Sequence, residues 1–173
     1  ADTAALLHGI GGTAADASAA WLAGNLFSAV GALSAADEAW KRVAEIAARR
    51  GDMSDLATAL AQRVEIALSE GDYTRCEALA ADLAKAAAAT GNRVHAAFAE
   101  ANLGVIERRR GHLDDALKHQ ERALELYREA DDPFGTAQSL TNLATVYRDR
   151  GDYAKALDMA LEAAAIRERT GDK

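Results

Sequence analysis

Proline is nearly missing from this chain: Pro133 is the only one in 173 residues. Proline removes a backbone donor and clashes with the preceding helical turn, so its scarcity leaves long stretches free to be helical. Aromatic residues are scarce too, at 5% against 50% hydrophobic residues in all, and most of the apolar content is alanine. Alanine is a strong helix former that buries little area per residue, which predicts thin, closely packed helices. The single cysteine, Cys76, excludes an internal disulfide and makes a reducing cytoplasm the expected setting. No apolar run approaches the roughly 20 residues of a membrane-spanning helix. Residues 1–10 lack the basic and long apolar stretches of a signal peptide. A basic excess is absent as well, since 20 Lys and Arg stand against 27 Asp and Glu for a formal charge of −7. Nucleic-acid binders usually carry the opposite balance, so neither nucleic acid nor membrane is an expected partner.

Catalytic and metal-binding patterns are missing in the same way. The histidines are His8, His95, His112 and His119, and no two stand three or four apart on a helix with a carboxylate partner, as zinc ligands would. His112 and His119, seven apart, read as surface residues. Nucleophile-elbow, phosphate-loop, dinucleotide and metalloprotease patterns do not occur. Gly9, Gly11 and Gly12 have no preceding strand and no Gly-Lys-Ser after them, so they read as a helix–helix turn. Cys76 takes the register of Ala36, Ala116 and Ala156 and reads as a small core residue. The expectation is a protein that is no enzyme and needs no cofactor.

What the chain does have is a repeat. Glycines stand at 11, 31, 51, 71, 91, 111, 151 and 171, every twenty residues, and the one vacant place on that grid is Asp131. Each suits the position just past a helix end, where a positive φ is common. Aspartate tolerates that conformation better than most residues. Between the glycines run helical stripes such as Leu113, Ala116, Leu117, Ala123, Leu124 and Tyr127, matched forty residues on by Tyr153, Ala156, Leu157, Ala163 and Ala164. Leu33, Ala36, Trp40, Val43 and Ala47 anticipate them, as do Tyr73, Cys76, Ala80, Leu83 and Ala84. Asp52, Asp72, Asp132 and Asp152 are expected N-caps, with Pro133 in a first helical turn. This predicts one all-α domain over 1–173, a solenoid of antiparallel helix hairpins at about 11–50, 51–90, 91–130 and 131–170. Residues 1–10 align with 161–170 and read as the stump of an earlier helix, while Thr170-Gly171-Asp172 matches the start of a further repeat.

The segments Asn142-Leu143-Ala144, Tyr147, Gly151-Asp152-Tyr153 and Ala156-Leu157, with Asn102-Leu103-Gly104, Gly111, Ala116-Leu117 and Ala123-Leu124, resemble the tetratricopeptide repeat. The forty-residue spacing, longer than the usual 34, is similar to the kinesin light chain variety. Large bacterial regulators and scaffolds carry such arrays, and the resemblance implies a fragment of one. Two departures stand out: Arg63 where Leu103 and Leu143 sit, and Asp37 where Leu117 sits. Arg63 is expected to pair with Glu100 or Glu107.

Helical periodicity places Leu26, Ile66, Ile106 and Val146 toward the core, and positions 98, 101, 102, 105, 108 and 109 on the opposite stripe. The resemblance implies that this stripe lines a peptide-binding groove. Its charges are Arg108, Arg109, Arg148, Glu65 and Asp149, a positive balance in an acidic chain. Asn102 and Asn142 are equivalent, Gln62 shares their register, and Asn25 and Thr145 share another. Side-chain amides both donate to and accept from a peptide backbone, and guanidinium groups grip carboxylates through paired hydrogen bonds. Asn102, Asn142, Arg108, Arg148, Arg109, Gln62, Asn25 and Thr145 are therefore the candidate ligands of an extended, acidic peptide. The alternative reading makes the asparagines braces between helices, and Trp21 and Phe98 read either as anchors or as packing. Three functions stay open: a protein-interaction module, a sensor of a ligand or peptide controlling a fused effector, and a self-assembling solenoid with weak end-to-end contacts.

Overall fold

A computed structural model of the protein describes residues 14–171. The described residues form eight α-helices and no strand: α1 Ala14–Ala29, α2 Leu33–Arg50, α3 Met53–Glu70, α4 Tyr73–Thr90, α5 Arg93–Arg110, α6 Leu113–Glu129, α7 Pro133–Arg150 and α8 Tyr153–Thr170. Consecutive helices pair as antiparallel hairpins, as the repeat predicts. The expected remnant over residues 1–10 and the turn at Gly11 lie outside the described residues.

The grid of turns has a uniform geometry. Gly31, Gly51, Gly71, Gly91, Gly111, Gly151 and Gly171 all adopt φ between 67° and 90°. Asp131 joins them at φ 51°, the one non-glycine residue with positive φ among the described residues. Its turn closes with the same two bonds as its neighbours: Asp131 N–H donates to the Arg128 carbonyl at 3.1 Å, and Asp132 N–H to that of Tyr127 at 3.0 Å. The Asp52, Asp72 and Asp132 carboxylates cap the next helix, accepting from the backbone N–H of Asp55, Arg75 and Gly135 respectively. Asp152 stands at the N-cap position without accepting such a bond; its carboxylate lies 3.8 Å from Arg150 instead.

The chain divides into two compact units, 1–90 and 91–173, where the sequence reads as one domain. Repeat architectures touch only their nearest neighbours, so a junction between hairpins is the natural place for such a division. In unit 1, α2 and α3 bury Trp40, Val43, Ala59 and Ile66, joined by Ala20 of α1. In unit 2, Leu117 and Leu124 of α6 pack with Leu140, Leu143 and Val146 of α7, and with Ala163 and Ile166 of α8. Cys76 is buried, and its thiol is pushed up to about 11 chiefly by burial, so it stays protonated and unreactive.

One core position departs from the periodic reading. Ile66, Ile106 and Val146 are buried, but the equivalent Leu26 is 56% exposed. Among the described residues no hairpin packs on that side of α1. The expected partner of Arg63 is also corrected. Its Nε donates to Asp37 at 2.9 Å, and Arg75 grips the same carboxylate. Glu100 pairs with His119 at 2.7 Å, and Glu107 with Arg110 at 3.0 Å and His112 at 2.6 Å. The two departures from the repeat pattern thus answer each other across α2 and α3, because a buried charge is tolerated only with a partner in reach.

Candidate functional site

Helices α5 and α7 are the first helices of the two hairpins of unit 2, and they carry six of the eight candidate residues. At their C-terminal ends Arg108 Nη1 donates to one oxygen of Asp149 at 2.9 Å. Arg148 Nη2 and Nε donate to the other at 2.8 and 3.2 Å. The carboxyl of Asp149 is held below the usual aspartate range, first by the bond from Arg148 and then by that from Arg108. Two arginines therefore already converge on one carboxylate, and one positive charge is left over. Arg109, next to Arg108 in sequence, is exposed.

The asparagines are engaged within the fold. Asn102 is only 7% exposed, and its amide donates to the Phe98 carbonyl at 2.8 Å. Asn142 is half-buried, donating to Gln120 at 3.3 Å and accepting from Gln138 at 3.4 Å. Gln120 is wholly buried and donates to the Ala101 carbonyl at 2.6 Å, so it ties α5, α6 and α7 together. Sequence reasoning passed over Gln120. The available signal was a polar residue at the register of Trp40, Ala80 and Ala160, facing a glycine, Gly104, in the partner helix. Thr145 donates to the Thr141 carbonyl at 2.9 Å. It lines a cavity of about 340 Å³ with Arg148, Arg167 and a floor of Ala144, Ala156 and Ala160.

The other two candidates belong to unit 1. Gln62 is half-buried on α3, and Asn25 on α1 is exposed with its amide on the Trp21 carbonyl at 3.0 Å. Trp21 meets the Trp40 ring edge-on at 4.9 Å, which makes it a packing residue. Among the described residues no group of three metal-ligating side chains occurs, and no helix is long and apolar enough to cross a membrane.

The tetratricopeptide repeat family matches residues 95–169. Among solved structures, BtubC (BKLC) from P. vanneervenii is similar at 23% identity and TM-score 0.72, over 87% of this chain and 62% of that one. Aspartyl phosphate phosphatase F from Bacillus subtilis superimposes at TM-score 0.81 with 14% identity, over 90% of this chain and 41% of that one. The nearly identical repeats of a putative kinesin light chain from Podosopora anserina give TM-score 0.69 at 15% identity, over 94% of this chain and 79% of that one. The chain thus spans 62% or less of the length of the first two. No curated protein matches the sequence significantly.

Proposed function

We propose that this chain, whose residues 95–169 match the tetratricopeptide repeat family, is a non-catalytic interaction module, part of a larger regulator or scaffold, whose second unit binds an extended acidic segment of a partner protein. The fold generally serves protein–protein interaction. The observation that supports an acidic partner is the pair of arginines, Arg108 from α5 and Arg148 from α7, meeting on a single carboxylate. In this reading a ligand's glutamate or aspartate would take the place of Asp149 between the two guanidinium groups, which suit a carboxylate through paired hydrogen bonds. Arg109 supplies further positive charge, while Asn142 and Thr145 offer polar contacts along the same helix. Asn102 contributes as a brace, and Gln62 and Asn25 are the corresponding positions in unit 1.

The test is an array of extended peptides graded in glutamate content, probed with the chain and followed by calorimetry on the best binders. Affinity should rise with glutamate content. Arg108→Glu with Arg148→Glu should weaken binding at least tenfold, because attraction becomes like-charge repulsion. Asn142→Ala should weaken it less. Native affinity in the double arginine variant would move the site away from the α5–α7 face.

A further inference from the structure

Between α3 and α4, inside the second hairpin, lies a cavity of about 280 Å³ lined by Met53, Leu56, Leu60 and Ala86, with Asp82 and Lys85 beside them. Met53 is 36% exposed, while Leu60 and Ala86 are buried, so the lining runs from an exposed lip to a closed apolar floor. We propose that this crevice binds one large apolar side chain, a leucine or phenylalanine, projecting from a segment of a partner protein. The inference concerns unit 1 and does not rest on the acidic-peptide reading.

The repeat shows how the other hairpins treat the same registers. In the third, Met53 and Ala89 become Arg93 and Glu129, which bridge α5 to α6 at 3.1 Å. In the fourth, Ala48 and Asp82 become Arg128 and Glu162, which bridge α6 to α8 at 2.7 Å. The cavity there, about 340 Å³, shares the registers of Met53, Leu56 and Ala86, but Arg128, Asp131, Asp132 and Arg169 line it with charge. The second hairpin keeps only one of the four bridging charges, Asp82, and that carboxylate turns to Lys85 on its own helix at 2.9 Å. Both bridges are lost together, and Met53 and Leu56 stand where Arg93 and Ala96, or Pro133 and Thr136, stand elsewhere.

Size and polarity select the occupant. An apolar cavity of about 150 Å³ accepts a benzene ring, so this one has room for a leucine or phenylalanine side chain. Small-molecule sites orient their ligands through a few convergent polar groups. Here the only charged lining residues are Asp82 and Lys85, whose side chains are 58% and 77% exposed. An apolar side chain enters the floor without burying a polar atom, and the partner's backbone stays outside, level with the two charges. These suit a basic partner residue beside Asp82 and an acidic one beside Lys85. Their order is particular to this hairpin, because the same registers carry Arg42 with Glu45 in the first and Arg122 with Glu125 in the third. A solvent-exposed pair three residues apart on a helix is weakly held, so both members can exchange partners. Methionine at the lip adapts its shape to what enters.

The chain has two methionines, which makes the test clean: Met53 lines the crevice, and Met159 packs in the fourth hairpin. Short peptides with one central leucine, phenylalanine or alanine, flanked by a lysine and a glutamate in either order, are titrated into chain isotopically labelled at the methionine methyl groups. The Met53 methyl resonance should move and that of Met159 should stay. Leucine and phenylalanine peptides should bind about tenfold more tightly than the alanine peptide. Asp82→Lys with Lys85→Asp should invert the preferred order of the flanking charges. Met53→Arg with Ala89→Glu, two exposed positions, rebuilds the bridge of the third hairpin across the crevice. By fluorescence anisotropy it should weaken the leucine peptide at least tenfold, with native circular dichroism and melting. Ala48→Arg should weaken it too by reaching Asp82, and it keeps Met53 as reporter. Peptides that leave Met53 unmoved, bind equally well with alanine, or keep their charge preference after the swap overturn the proposal. So does a Met53 shift that grows with the concentration of the chain alone, which marks a second copy as occupant. A shift caused by anilinonaphthalene sulfonate and by none of the peptides marks a small-molecule site and overturns it as well.

Discussion

Each unit contains one junction between hairpins, and the two versions differ in kind. In unit 2 the α6–α7 junction places Leu117 and Leu143 together in a dry core. In unit 1 the equivalent positions on α2 and α3 are Asp37 and Arg63, ion-paired at 2.9 Å with side chains 17% and 16% exposed. The same backbone register thus accepts either an apolar pair or a charged one, provided both members change together. A second exchange runs inside the hairpins. Gly24 faces Trp40 in the first, and Gly104 faces Gln120 in the third, so a missing side chain on one helix answers a large one on its partner. The second and fourth hairpins have Val64 with Ala80 and Ala144 with Ala160 at these registers. Volume is shared across the first and third pairs, whereas the fourth, Ala144 with Ala160, borders a cavity of about 340 Å³.

Breaking that pairing in unit 2 should have the largest effect. Leu143→Arg alone would bury a charge without a partner and should destabilise the chain by about 3–5 kcal/mol. Adding Leu117→Asp should recover a substantial part of the loss if unit 1's solution transfers. The converse double change, Asp37→Leu with Arg63→Leu, should be neutral or stabilising, as replacement of buried ion pairs often is. Urea titration of the four variants reads this directly, and independent, additive single effects would show that the two junctions do not share one geometry.

The glycine contacts give the next effect in size. A Cβ at Gly104 would stand 2.5 Å from Gln120 Nε2, and one at Gly24 would stand 2.6 Å from Trp40 Cε2. Gly104→Leu should cost about 1–3 kcal/mol through overpacking, and Gln120→Ala should relieve it. Gly24→Ala should cost more than Gly104→Ala, because an indole ring locked between helices cannot swing aside as a glutamine tip can. Equal melting points for the two alanine variants would contradict this.

Smaller still is the effect of the odd turn. Asp131→Gly removes a left-handed strain of up to about 1 kcal/mol, so a slightly raised melting temperature is expected. The smallest effect concerns pH. Because the folded Asp149 carboxyl sits below its ordinary range, its contribution is fully present above that range. It is lost as pH falls through the lowered value. Asp149→Asn should therefore flatten the acid limb of the stability profile slightly, and an unchanged limb would mean that Arg108 and Arg148 gain nothing from that carboxylate in solution.

The grid of turns and the repeat length were legible in the sequence, down to Asp131 in a glycine's place, although the cap expected at Asp152 does not form. They depend on residues close in sequence: a stripe spaced three and four apart, a left-handed turn, a capping carboxylate one position on. The candidate site was legible only in part. Periodicity located Arg108 and Arg148 on one stripe, but it left Asn102 open between a groove ligand and a brace, and the fold buries it at 7% exposure. Nor did it find Gln120, whose role depends on Gly104 and Asn142 at once.

Arg63 shows where the boundary lies. Its charge at an apolar register was plain in the sequence, yet its partner was sought on α5 and found on α2. Local rules state what a position lacks or carries, since each depends on a few neighbouring residues. Which two departures meet is settled by helix packing at side-chain scale, where a rotation of one residue, about 100° around the helix, chooses a different partner.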